Sequence, residues 1–165
     1  KIKAIPYYEQ ALALNPDSRN AIHNLAILYD SIKLWTKSDS LYKILIETDT
    51  TDAQAFNNFA YSLVERNEQL NYALELSRKA VQLVPESAAY LDTMGWILFA
   101  IGNNSLALNY IIKSVEIEDN NAVVLEHLGD VFKANNKLSD AKYYWNKAFD
   151  LDPENEQLKK KLSAP

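Results

Sequence analysis

The sequence predicts an all-α chain built from antiparallel helix pairs stacked side by side. Three observations predict it: small residues recurring at one irregular interval, apolar residues at helical spacing within each interval, and helix-stopping residues between intervals. The chain has 165 residues. Ala4, Ser38, Ala73, Ala107 and Ala141 are separated by 34, 35, 34 and 34 positions. Ala11, Leu45, Ala80, Ser114 and Ala148 keep the same gaps, and so do Pro16, Thr50, Pro85, Asp119 and Pro153. Ala26, Ala60, Gly95 and Gly129 follow with gaps of 34, 35 and 34. Independent series that share one irregular spacing mark a true internal repeat.

Taken in order, residues 1–18 hold only the second helix of a unit, with Pro6 near its start, where a missing N–H costs nothing. No Met precedes this half unit, and the expectation is a fragment cut within a repeat of a longer chain, with an apolar end that can self-associate. In unit 19–52, Ile22, Leu25, Leu28 and Tyr29 fall on one helical face, and Lys33–Thr36 break the chain before the second helix. Unit 53–87 carries the one extra residue, placed in the turn near Asn67-Glu68-Gln69, where insertion costs least. Unit 88–121 repeats the stripe as Leu91, Met94, Ile97 and Leu98, and unit 122–155 as Leu125, Leu128, Val131 and Phe132. Asn15-Pro16-Asp17, Val84-Pro85-Glu86 and Asp152-Pro153-Glu154 end units because proline cannot continue a helix. Residues 156–165 read as a terminal cap or the start of a further unit, with Glu154 and Glu156 opening a helix that Lys159-Lys160-Lys161 close in keeping with its dipole.

These residues resemble the tetratricopeptide repeat, W-x2-L-G-x2-Y followed by A-x3-F and P. The match is fullest in Leu125-x2-Leu128-Gly129-x2-Phe132, then Ala141-x3-Trp145, Ala148 and Pro153. Leu91-x2-Met94-Gly95-x2-Leu98 with Ala107-x3-Ile111 is a second copy. The leading Trp is replaced by Ile22, Phe56, Leu91 or Leu125, the Gly by Ala26 and Ala60, and the Pro by Thr50 and Asp119. The resemblance implies a right-handed superhelical solenoid over residues 1 to about 155 and a protein-binding scaffold. The segments LDTMGW and LEHLGD look like multi-repeat proteins of bacteria.

Composition narrows the chemistry. Cysteine is absent, so disulfides, thiolate metal sites and a thiol nucleophile are excluded, while the compartment stays open. Three glycines disfavour a glycine-rich phosphate loop. A net charge of −5 with one basic run argues against nucleic acid. That run, Lys159–Lys161, reads as a helix end in water. No stretch approaches the ~18 apolar residues needed to span a membrane. His23 and His127 lie three units apart and read as surface or turn-packing residues. The acidic residues lack calcium-loop spacing, so no catalytic, metal or cofactor site is expected.

In the repeat, the first helix of each pair faces a concave groove. The residues expected on that face include Tyr61, Glu65, Asp92, Trp96, Phe99, Glu126 and Asp130. An aromatic patch ringed by acids predicts a protein or peptide partner with basic and apolar residues. Ala89, Thr93, Val123 and His127 stand where a carboxylate-binding clamp would need Lys or Arg. The expected function is a non-catalytic binding scaffold; the alternatives are a recruiting arm of a larger enzyme and a self-associating spacer without a groove ligand.

Overall fold

The computed structural model describes residues 2–163; Lys1, in the first half unit, and Ala164 and Pro165, in the expected cap, lie outside the described residues. A 3-10 turn, Ile2–Ala4, leads into α1 (Ile5–Leu14). Four helix pairs follow: α2 (Arg19–Ser31) with α3 (Trp35–Thr48), α4 (Ala53–Glu65) with α5 (Leu70–Leu83), α6 (Ala88–Ala100) with α7 (Asn104–Ile117), and α8 (Ala122–Ala134) with α9 (Leu138–Leu151). The short α10 (Glu156–Ser163) packs against α9. There is no strand among the described residues.

The turn inside each pair is built alike. Lys33, Asn67, Gly102 and Asn136 adopt positive φ, at 63°, 55°, 85° and 61°. The residue after each then donates its N–H back across the helix end: Leu34 to Tyr29, Glu68 to Leu63, Asn103 to Leu98 and Lys137 to Phe132. This left-handed closure satisfies carbonyls that the helix terminus leaves free. The turn 66–69 has four residues where the other three have three, and its extra Gln69 also takes a positive φ, 45°. The insertion is absorbed where the backbone already reverses. Asp52, Asn103, Asn121 and Asn155 each accept backbone N–H groups at the start of the following helix.

Pairing is closest where glycine removes a side chain. A Cβ on Gly95 would meet Ile111 Cγ1 at 2.4 Å, and one on Gly129 would meet the Trp145 ring at 2.3 Å. The large side chains Ile111 and Trp145 fill those positions and are buried. The core divides into two clusters that meet at α6: Ile97 belongs with Phe56, Phe59 and Leu63, while Met94 and Leu98 belong with Leu125, Leu128 and Trp145. Helix α6 therefore has apolar residues on nearly every side, as expected for a helix flanked by core on both faces. Each fully buried Leu or Ile here contributes roughly 1.5–3 kcal/mol of transfer free energy.

The first helices of successive pairs touch each other, α2 with α4, α4 with α6 and α6 with α8. They form one continuous side of the stack, which positions the groove.

Candidate binding groove

Side chains on this inner side are linked from one pair to the next by polar contacts. His23 Nε2 lies 2.8 Å from Asp52 Oδ2, and Arg19 also pairs with Asp52. Ser62 donates to Asp30 Oδ1 at 2.5 Å. Trp96 Nε1 donates to Glu65 Oε1 at 3.1 Å. His127 Nδ1 stands 3.0 and 3.1 Å from the two oxygens of Asp92. Lys161 Nζ donates to Glu126 Oε1 at 2.6 Å and Asp130 Oδ2 at 2.7 Å, and Asn155 donates to Glu126 Oε2 at 3.0 Å. Each contact joins residues 29–35 positions apart, about one repeat.

The seven residues singled out by sequence all lie on α4, α6 and α8, but in unlike surroundings. Trp96 is half-buried, with one stacking contact to His127 at 3.9 Å and another to Phe99 at 5.0 Å. Its indole knits α6 to α4 and α8. Asp92 is buried, 5% exposed, and is held by His127. Glu126 and Asp130 are engaged by α10 and by Trp145, whose Nε1 donates to Asp130 Oδ1 at 3.0 Å. Tyr61 stays half-buried and shares a pocket with Asp92. Burial, then the negative charges of Glu65, Asp92 and Asp30, pushes its phenol above the usual tyrosine range, so it is an O–H donor at neutral pH.

Two sequence expectations are corrected. His127 is no surface or turn-packing residue: it is 6% exposed, covered by the Trp96 ring and paired with Asp92. Lys161 does not end its helix in water, because the superhelix brings it onto Glu126 and Asp130. Both contacts span 35 positions, so a search for opposite charges one repeat apart would have found them.

A pocket of about 290 Å³ opens between α4, α6 and α8, lined by Asn57, Asn58, Tyr61, Asp92, Thr93 and Val123 among others. Asn57 is buried, and its Oδ1 has no hydrogen-bond partner among the described residues. Asn57 and Asn58 are not among the site residues singled out by sequence. No group of three or more His, Cys, Asp or Glu among the described residues is arranged to hold a metal ion.

No family model matches the chain. A TPR repeat-containing protein of Pseudomonas aeruginosa is 27% identical over 128 residues, covering 78% of this chain and 22% of that protein. The type IV pilus assembly protein PilF of the same organism is 23% identical over 140 residues, covering 83% of this chain and 55% of its own length. Among solved structures, a thermophilic TPR protein of Thermus thermophilus superposes with a TM-score of 0.83 at 19% identity, covering 97% of this chain and 87% of that one. The chain is a tetratricopeptide-repeat solenoid. Another solenoid of this fold, YrrB, described as a TPR protein with an unusual peptide-binding site, superposes with a TM-score of 0.69 at 18% identity, covering 96% and 81%. The present solenoid spans about a fifth of one curated relative and about half of the other.

Proposed function

We propose that the solenoid is a non-catalytic scaffold whose inner side binds a segment of a protein partner carrying basic and apolar residues. The observation that carries this reading is the pocket between α4, α6 and α8, whose lining sets the side chains of Asn57, Asn58, Tyr61 and Thr93 beside Val123 and Val124. The amide and hydroxyl groups of that lining can exchange hydrogen bonds with a peptide main chain. Val123 and Val124 supply an apolar wall, and Asp92, Glu65 and Asp30 give the groove a negative field. Such a field favours a basic segment and speeds its association. The likeness to PilF, a pilus assembly protein, and to YrrB, a peptide-binding TPR protein, supports a scaffold role.

The test is selection of peptides from a random library on the native chain, followed by binding to two variants. Val123→Arg fills the pocket from an exposed position, and Asn57→Ala removes the unpartnered acceptor. Both are expected to weaken the selected peptides at least about tenfold, a change of about 1.4 kcal/mol. Unchanged affinity in both variants, with native melting temperature, overturns the reading. Substituting Trp96 or Asp92 is a poorer test, because each also ties α6 to α8.

A second reading has one observation in its favour. Helix α1 leaves Tyr7 74% and Leu14 82% exposed, an apolar surface suited to self-association. Growth of scattering mass with concentration, abolished by Tyr7→Ser with Leu14→Ser, would support a self-assembling spacer.

A further inference from the structure

A larger pocket, about 430 Å³, lies where the C-terminal ends of α2 and α4 meet the start of α3. Its walls carry two carboxylates that are each half used. Asp30 accepts Ser62 through Oδ1 and Glu65 accepts Trp96 through Oε1, while Oδ2 of Asp30 and Oε2 of Glu65 carry no hydrogen bond among the described residues. Trp35 stands beside them, 38% exposed, with the Arg66 guanidinium over one part of its ring at 5.8 Å from the centroid and the rest open to the pocket.

Arg66 closes the pocket in an unusual state. Its side chain is 5% exposed. Nη2 donates to both oxygens of Asp39 at 2.8 Å, and Nε lies 3.1 Å from Glu68 Oε2 in an ion pair. Its charge is therefore already neutralised, yet the buried Nη1 has no partner. Counting Asp30, Asp39, Glu65 and Glu68 against Lys33 and Arg66 leaves the surroundings negative. An anion is disfavoured there. What fits is a ligand with a cation for the two carboxylates.

We propose that this pocket is a subsite for one basic residue of a bound peptide. The Lys or Arg side chain lies along the exposed edge of Trp35 with its charge between Asp30 and Glu65. Stacking against an indole and pairing with carboxylates favour the same cation. The proposal rests on the reading of the inner side as a peptide groove and assigns where that peptide's charge is recognised.

The test follows the three indole N–H signals of the nitrogen-15-labelled chain during titration with acetyl-Gly-Lys-Gly-amide and acetyl-Gly-Arg-Gly-amide, with acetyl-Gly-Glu-Gly-amide as control. The basic peptides are expected to shift Trp35 saturably, with Trp96 following through Glu65 and Trp145 remaining still. The double variant Asp30→Asn, Glu65→Gln keeps acceptors for Ser62 and Trp96 but removes both charges, and should weaken binding about tenfold. Should that variant not fold, Trp35→Leu is titrated with the same peptides and followed through the Trp96 indole, and the same weakening is expected. A still Trp35, equal response to the acidic peptide, or unchanged affinity in the folded variant overturns the subsite. Failure of the subsite is distinct from failure of the groove: in the first, library-selected peptides remain sensitive to Val123→Arg while Trp35 does not respond. In the second, Trp35 responds but Val123→Arg changes nothing.

Discussion

The inner side is closed at its C-terminal stretch and open in its middle, although both are built from the same helical positions. Asn57 and Tyr61 on α4, Asp92 and Trp96 on α6, and Glu126 and Asp130 on α8 are pairs four residues apart, one helical turn, at matching places in their repeats. On α8 the pair holds a lysine from the chain's own α10, and on α4 it borders a pocket. In the closed stretch an ammonium lies between two acids one turn apart, beside an indole, with Lys161 Nζ 5.9 Å from the Trp145 ring centroid. In the open stretch the α4 pair is uncharged, and the one carboxylate in the pocket lining, Asp92, is paired with His127.

The comparison breaks most readily at Leu158, which is fully buried and anchors α10. Leu158→Ala should cost about 2–4 kcal/mol in chemical denaturation. It should also release Glu126 and Asp130, making the closed stretch resemble the open one. Next comes Gly129→Ala, whose new methyl would drive into Trp145 and displace the indole that holds Asp130. Overpacking of this kind costs about 1–3 kcal/mol, read as a lower melting temperature. Lys161→Met keeps the stem and removes the charge. It should cost about 1 kcal/mol at low salt and less at high salt, since Lys161 is partly exposed.

The smallest effect concerns Asp52, the equivalent bridge between α2 and α4. Burial raises its carboxyl, but the Ala55 N–H, His23 and Arg19 outweigh burial and hold it below the usual carboxylate range. A depressed folded value means that its contribution is present above the unfolded value of about 3.9 and lost as pH falls through the folded one. Native chain and Asp52→Asn should differ by a constant amount, about 1 kcal/mol or less, above about pH 5 and converge below about pH 4. A gap that widens on acidification would contradict this account.

The solenoid was legible in sequence because the residues that define it act locally or at a fixed interval. Gly95 and Gly129 are read as close crossings from their place in the repeat, and Ile111 and Trp145 opposite them fill the space. The turn containing Gln69 was legible as an extra residue between two stripes, though its positive φ was not. The groove was harder. Periodicity places Trp96 and Asp92 on the inner side, but whether they face solvent depends on the neighbouring pair. That neighbour supplies His127 to both of them, a residue whose burial periodicity alone did not reveal. The Arg66 pocket was legible only in Glu65: its other wall carboxylate, Asp30, and Asp39, which pairs with Arg66, come from the preceding pair.

The central claim is that a partner segment lies along the inner side of α4, α6 and α8. Mapping amide shifts of the labelled chain with a library-selected peptide tests it most directly. The account predicts shifts concentrated at Asn57, Asn58, Thr93 and Val123, and at Asp30 and Glu65 when the peptide carries a basic residue. Shifts confined to the outer helices α5, α7 and α9 would contradict it.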